Sequence, residues 1–257
     1  GKSNVQLVVG EFPAFGDSQT RAIGTPDEGK TSWAEGDELL LEIDNTSYGK
    51  QYATFTYNGS SWELTSGELV YREGDPAYIP HVYYAPNYKW EAGKLVLKEG
   101  KVAGTDEYIE GKARITGNGE TITVSFAEAT RKYSRLRIAT LPNEQITVDT
   151  EYFTPAGSSD MEQNGNYTLT SDEKGNAYLY GTFNNSEVTV KYREAPLKTY
   201  TFSQATENAK SYALDASIIS LAGEGITYNQ IEEDVKKELD AGKTYINLIL
   251  APDVDEE

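Results

Sequence analysis

A chain of 257 residues with 23 Gly, 19 Tyr and no Cys has room for one large or two ordinary β domains, and it excludes disulfides and thiolate zinc sites. Its formal net charge of −18 repels phosphate backbones, so nucleic acid is excluded as a partner and the acidic surface is read as solvation. No run reaches the roughly 18 to 20 apolar residues of a membrane-spanning helix; the start at Gly1 reads either as a processed form or as a residue left by cloning, and a lipid-bearing N-terminal Cys would be lost in that way.

Strand signals recur along the chain between Gly, Asn, Asp and Pro. The first is expected at 5–9, followed by ELLLEID at 38–44 and QYATFTY at 51–57. Asn58-Gly59 then makes a hairpin turn into Ser61-Trp62-Glu63-Leu64. Strands at 68–72 and 82–85 continue the set, and the pattern loosens into a long loop between 85 and 111. TITVSF at 121–126 restores alternation, with Ile122, Val124 and Phe126 on one face. SRLRIAT at 134–140 repeats it with Leu136 and Ile138. Further strands are expected at 145–149, 166–170, 177–183, 187–192, 198–202 and 244–250. One helix is expected where Ile231, Val235 and Leu239 recur every fourth residue, with Thr227 and Gln230 as a capping box and Gly242 as its stop. The organisation is two β-sandwich domains, 1–119 and 120–257.

Chemistry is sparse. His81 is the single histidine, so a Ser-His-Asp site has one place to form and a His-rich zinc site has none; a structural role suits it better. No nucleophile elbow, phosphate-binding loop or dinucleotide fingerprint occurs. Among 41 acidic residues none stands out as half of a glycosidase pair. Asp172-Glu173 with Gly175-Asn176 reads as a turn before it reads as a calcium loop. Trp33, Trp62, Trp90 and Tyr83-Tyr84 have faces that stack on sugars, though core or edge-covering positions suit them better. The expectation is therefore a protein without catalysis, cofactor or metal.

The order of motifs carries a resemblance. TRAIG at 20–24, SWAEGDELLLEI at 32–43, YATFTYNGSSWEL at 52–64, VYYAP at 82–86, TITVSF followed by YSRLRIAT at 133–140, and the late AGKTYINLIL at 241–250 together resemble the fimbrillin-like family of pilus subunits of gut and oral anaerobes. Two departures stand beside it: no His follows the V-x-F segment, and the chain ends DVDEE where many relatives carry a Trp. The resemblance implies an all-β fold of two tandem transthyretin-like antiparallel β-sandwich domains with one or two short helices. It implies a lipoprotein of the outer membrane and fimbrium, with other fimbrial subunits as partners and adhesion to surface glycans or proteins as its role. It also implies donor-strand exchange after an Arg-specific protease removes the first strand. Arg21 and Ala22 are then the cleavage candidate, since they follow a strand and precede the polar GTPDEGKTS loop. The donor candidate is 244–250, which sets Ile246, Leu248 and Leu250 against Thr244, Tyr245 and Asn247 and equally suits a strand that stays in its own sheet. The alternative reading is a surface glycan-binding lipoprotein on the same ground plan.

Overall fold

The computed structural model describes residues 5–15, 29–45, 49–71, 79–116, 120–127 and 131–216. Among these residues every regular element is a strand, as composition predicts. The expected helix at 227–242 and the strand at 244–250 lie outside the described residues.

The first sheet runs, in spatial order, β1 (Gln6–Val9), β9 (Thr121–Ser125), β8 (Ile109–Thr116), β5 (Ile79–Tyr84), β2 (Glu38–Asn45), β3 (Gly49–Tyr57) and β4 (Trp62–Gly67). It curls far enough that its edge strands β1 and β4 approach each other. The three leucines after Gly36-Asp37 show why a strand tolerates a continuous apolar run. Leu39 and Leu41 enter the main core with Ile43, Phe55, Val82, Ile109, Ile122 and Val124. Leu40 points the opposite way and is still only 2% exposed, because it packs with Ala85 and Tyr88 beneath Tyr83, Trp90, Leu95 and Tyr108. A strand covered on both faces has no polar side to alternate. That cover comes from the region expected to be a loop: β6 (Tyr88–Glu91) and β7 (Lys94–Leu97) form a hairpin there. Its turn places Ala92 and Gly93 at positive φ.

The hairpin signal at Asn58-Gly59 holds. Asn58 Oδ1 accepts from the amides of Ser60 at 2.9 Å and Ser61 at 2.7 Å, and Gly59 takes φ 99°, which a side chain would oppose. The expected strand at 68–72 does not form as an element of its own; Leu69 is instead a fully buried core residue beside β4. The sheets divide later than the expected boundary at 119. The V-x-F segment, expected to open the second domain, is β9 of the first sheet. It pairs antiparallel with β8 from Thr116↔Thr121 to Lys112↔Ser125, since a short connection leaves consecutive antiparallel strands adjacent.

The second sheet runs β15 (Ala195–Thr201), β14 (Glu187–Tyr192), β11 (Gln145–Pro155), β13 (Asn176–Phe183), β10 (Ser134–Ala139) and β16 (Ser211–Asp215), with β12 (Glu162–Thr170) also on β11. β11 joins two layers: Thr147–Thr150 pair with β14, and Phe153–Pro155 pair with β13. The change of partner falls at Tyr152, which adopts φ 51°. There the Tyr152 carbonyl accepts from Ser186 Oγ at 2.8 Å and from the Asn184 amide at 3.3 Å. The layers enclose a core of Leu136, Ile138, Ile146, Val148, Phe153, Tyr167, Leu179, Phe183, Val188, Val190 and Phe202. Among the described residues the expected antiparallel pattern has two exceptions, since β1 pairs with β9, and β16 with β10, in parallel.

Candidate functional site

The feature that engages both sheets is the segment 5–15 and the junction that receives it. β1 itself is lightly held. Among the described residues it has one neighbour and a four-residue register from Gln6↔Thr121 to Val9↔Val124, with the Gln6 amide donating to the Glu120 carbonyl at 2.7 Å and the Gly10 amide to the Val124 carbonyl at 2.9 Å. Leu7 and Val9 are half-buried, while Val8 is 52% exposed.

The buried side chains of this segment are Val5, Phe12 and Phe15. Phe12 meets Trp33 edge-on at 4.9 Å and Tyr84 at 5.4 Å, and Trp33 Nε1 donates to the Gly10 carbonyl at 2.8 Å. Phe15 reaches the second sheet. The Arg131 guanidinium carbon lies 3.7 Å from its ring centre and that of Arg135 lies at 4.7 Å, with Tyr133 and Tyr180 at 6.5 and 6.4 Å. Cations over an aromatic face are attracted to its quadrupole, and more strongly where water is excluded.

Arg131 organises this junction. It is 2% exposed and pairs with the buried Glu107 through two contacts, Nε to Oε1 at 3.1 Å and Nη2 to Oε2. Its Nη1 donates to the Pro13 carbonyl. Tyr133 donates its hydroxyl to Glu107 Oε1 at 2.6 Å and accepts from the Tyr108 amide at 3.0 Å. A bidentate pair with further hydrogen bonds is the arrangement a buried ion pair requires. Burial opposes the Arg131 charge, but the charge and hydrogen bonds of Glu107 outweigh it and raise its pKa. Burial, with the Glu107 charge added, holds Tyr133 and Tyr180 well above the usual tyrosine range. Neighbouring Asp106 is pushed up to about 6 by burial, and the amide of Glu107 that it accepts from does not restore it.

Backbone closes the junction. The Tyr180 amide donates to the Gly104 carbonyl at 2.8 Å. Gly104 has φ 89°, and a Cβ there would lie 2.9 Å from Pro155 Cβ and 3.3 Å from the Phe153 ring, so the chain passes only as glycine.

The residues singled out in the sequence are scattered. Arg21 and Ala22, and Thr244, Ile246, Leu248 and Leu250, lie outside the described residues. His81 is exposed on β5, in register with Glu42 and Lys112. Trp33 and Trp62 are half-buried and pack edge-to-face at 5.1 Å, while Trp90 covers Tyr52 at 4.9 Å and donates to the Ala53 carbonyl at 3.2 Å. Asp172 closes a turn, its Oδ1 accepting from the amides of Lys174 and Asn176, both at 2.9 Å. Among the described residues no group of three His, Cys, Asp or Glu side chains is placed to hold a metal. Asp149, Glu151 and Glu187 line a shallow hollow, where hydrogen bonds from Lys191 and Asn166 hold Asp149 below the usual carboxylate range.

Sequence reasoning missed Phe15, Glu107, Arg131 and Tyr133. SRLRIA alternates as if its arginines faced water, yet Arg135 and Arg137 are buried. Arg135 lies over Phe15 and Tyr178 and donates to Ser211 Oγ at 2.9 Å, so a segment more than a hundred residues earlier covers the face the alternation left polar.

No family model matches this chain, and no significant match was found among curated proteins. Among solved structures it is similar to a Bacteroides fragilis protein provisionally described as a cell adhesion protein, at 9% identity and a TM-score of 0.40, over 83% of this chain and 92% of that one. At that level the likeness carries no function across.

Proposed function

We propose that this protein is a structural subunit, shaft or tip, of a cell-surface fimbrium, serving assembly and adhesion rather than catalysis. It is exported to the outer surface, and its partners are other fimbrial subunits together with surface glycans or proteins. Assembly proceeds by donor-strand exchange after proteolysis at Arg21-Ala22 removes the first strand. The observation that carries this reading is the setting of β1, a strand of four residues with one neighbour among the described residues, whose segment nevertheless supplies three buried side chains. Loss of that segment leaves the Glu120 and Val124 carbonyls without their present donors. It also uncovers apolar surface against Trp33, Tyr84 and Tyr133. Each buried apolar side chain contributes about 2 kcal/mol, so the exposed groove favours an incoming strand that restores both hydrogen bonds and burial. The motif order supports the same reading.

Limited digestion with an Arg-specific protease, followed by intact mass and a gel without denaturant, tests it. The expected result is one cut after Arg21 and a folded remainder that builds a ladder. Resistance at Arg21, or a cleaved product that stays monomeric, overturns it.

A further inference from the structure

The anchor of the N-terminal segment is not its strand. Among the described residues β1 makes a single short parallel pairing, and none of its own four side chains is fully buried. The fixed point lies at the far end, where Phe15 sits under two guanidinium groups and the carbonyl of Pro13 accepts from Arg131. Arg131 is buried, and it stays there as a cation because Glu107 faces it, itself fixed by Tyr133. These groups come from three stretches: the segment itself, the approach to β8 and the approach to β10.

We propose that Phe15 with Arg131 and Arg135 forms a charge-keyed clasp, so that loosening the Glu107–Arg131 pair or the Phe15 ring releases segment 5–15 as a unit while both cores stay folded. Three physical points support local release. A four-residue edge pairing is too short to persist alone. The Arg131 side chain contacts the segment through both a ring face and a carbonyl, so one displacement breaks two anchors. Release of 5–15 takes Val5, Phe12 and Phe15, with Leu7 and Val9, from the first core and β1 from β9, while the second core takes no residue from the segment and the other described ladders keep their partners. Low-stability units of this kind open below the global unfolding limit. The device is a property of the single chain and stands whether or not the protein polymerises.

Hydrogen exchange on the full chain at pH 7.5 reads it directly. Glu107→Gln keeps the size of the side chain and removes its charge; Phe15→Leu keeps apolar bulk and removes the aromatic face. In Phe15→Leu the Gln6 and Gly10 amides are expected to exchange at least tenfold faster, while the ladder amides of β2, β3, β11 and β14 stay within twofold of the parent; in Glu107→Gln, which also strands the Arg131 charge, Gln6 and Gly10 are expected to accelerate at least tenfold more than those core amides. Unchanged exchange at Gln6 and Gly10 would show that the pairing with β9 holds the segment by itself. Equal acceleration of the core amides would show global destabilisation; either result overturns the clasp. If Glu107→Gln fails to fold, Phe15→Leu decides the question alone.

Discussion

Asp106 works against the fold at neutral pH. Its pKa rises from 3.8 to about 6, chiefly through burial. Between about pH 4 and 6 the folded chain therefore holds a proton that the unfolded chain has released, and this residue's contribution makes stability fall as pH rises through that window. Above pH 6 the full cost remains, with a ceiling of about 3 kcal/mol. Asp106→Asn keeps an oxygen for the Glu107 amide and removes the charge. Urea unfolding is expected to show the variant more stable by about 1 to 3 kcal/mol at pH 7.5, with the gain gone by pH 4; a gain that grows on acidification would contradict the assignment. None of this was legible in the sequence. Asp106 and Glu107 are two of 41 acidic residues, and the partner that marks Glu107, Arg131, is 24 positions away with no local periodicity linking them.

Elements were read well where burial follows a period and poorly where the backbone breaks it. β9, β13 and β14 alternate cleanly. The 145–149 signal, by contrast, predicts a short strand, and β11 runs on to Pro155 through Tyr152 at φ 51°. Pattern gives no warning of a left-handed residue inside a strand, because the requirement comes from β11 changing partner between β14 and β13. Tyr152 is 42% exposed, so substitutions there report on backbone rather than packing. Tyr152→Val, favoured in strands generally, is expected to destabilise by about 1 to 2 kcal/mol, while Tyr152→Asn, which tolerates this conformation, stays within about 0.5 kcal/mol of the parent. Paired urea titrations check it, and a neutral Val would remove the strain account.

At the scale of the molecule, two apolar cores are tied through a polar junction. Glu107 belongs to the stretch leading into the first sheet's β8, Arg131 to that leading into the second sheet's β10, and their bond crosses between them. Removing one partner strands a buried charge, which costs about 3 to 5 kcal/mol, whereas replacing both with apolar groups is often neutral. Arg131→Met is accordingly expected to lower stability by that amount and to split a single calorimetric transition into two. The double change Arg131→Met with Glu107→Leu is expected to recover most of the loss. A single variant that unfolds in one transition at the parent's midpoint would mean that the sheets are coupled elsewhere.

The sequence by itself determined the all-β class, most strand positions, the Asn58-Gly59 hairpin and the absence of disulfides, because these follow from local periodicity, turn chemistry and composition. The order of its motifs carries the resemblance behind the fimbrial reading. Only the tertiary structure decided that β9 closes the first sheet, that β1 lies parallel at its edge, and that Leu40, Arg135 and Arg137 are covered. It alone brought Pro13, Phe15, Glu107 and Arg131 together. Side-chain burial depends on what packs above a strand. When the covering segment is a hundred residues distant, no window along the chain contains both surfaces.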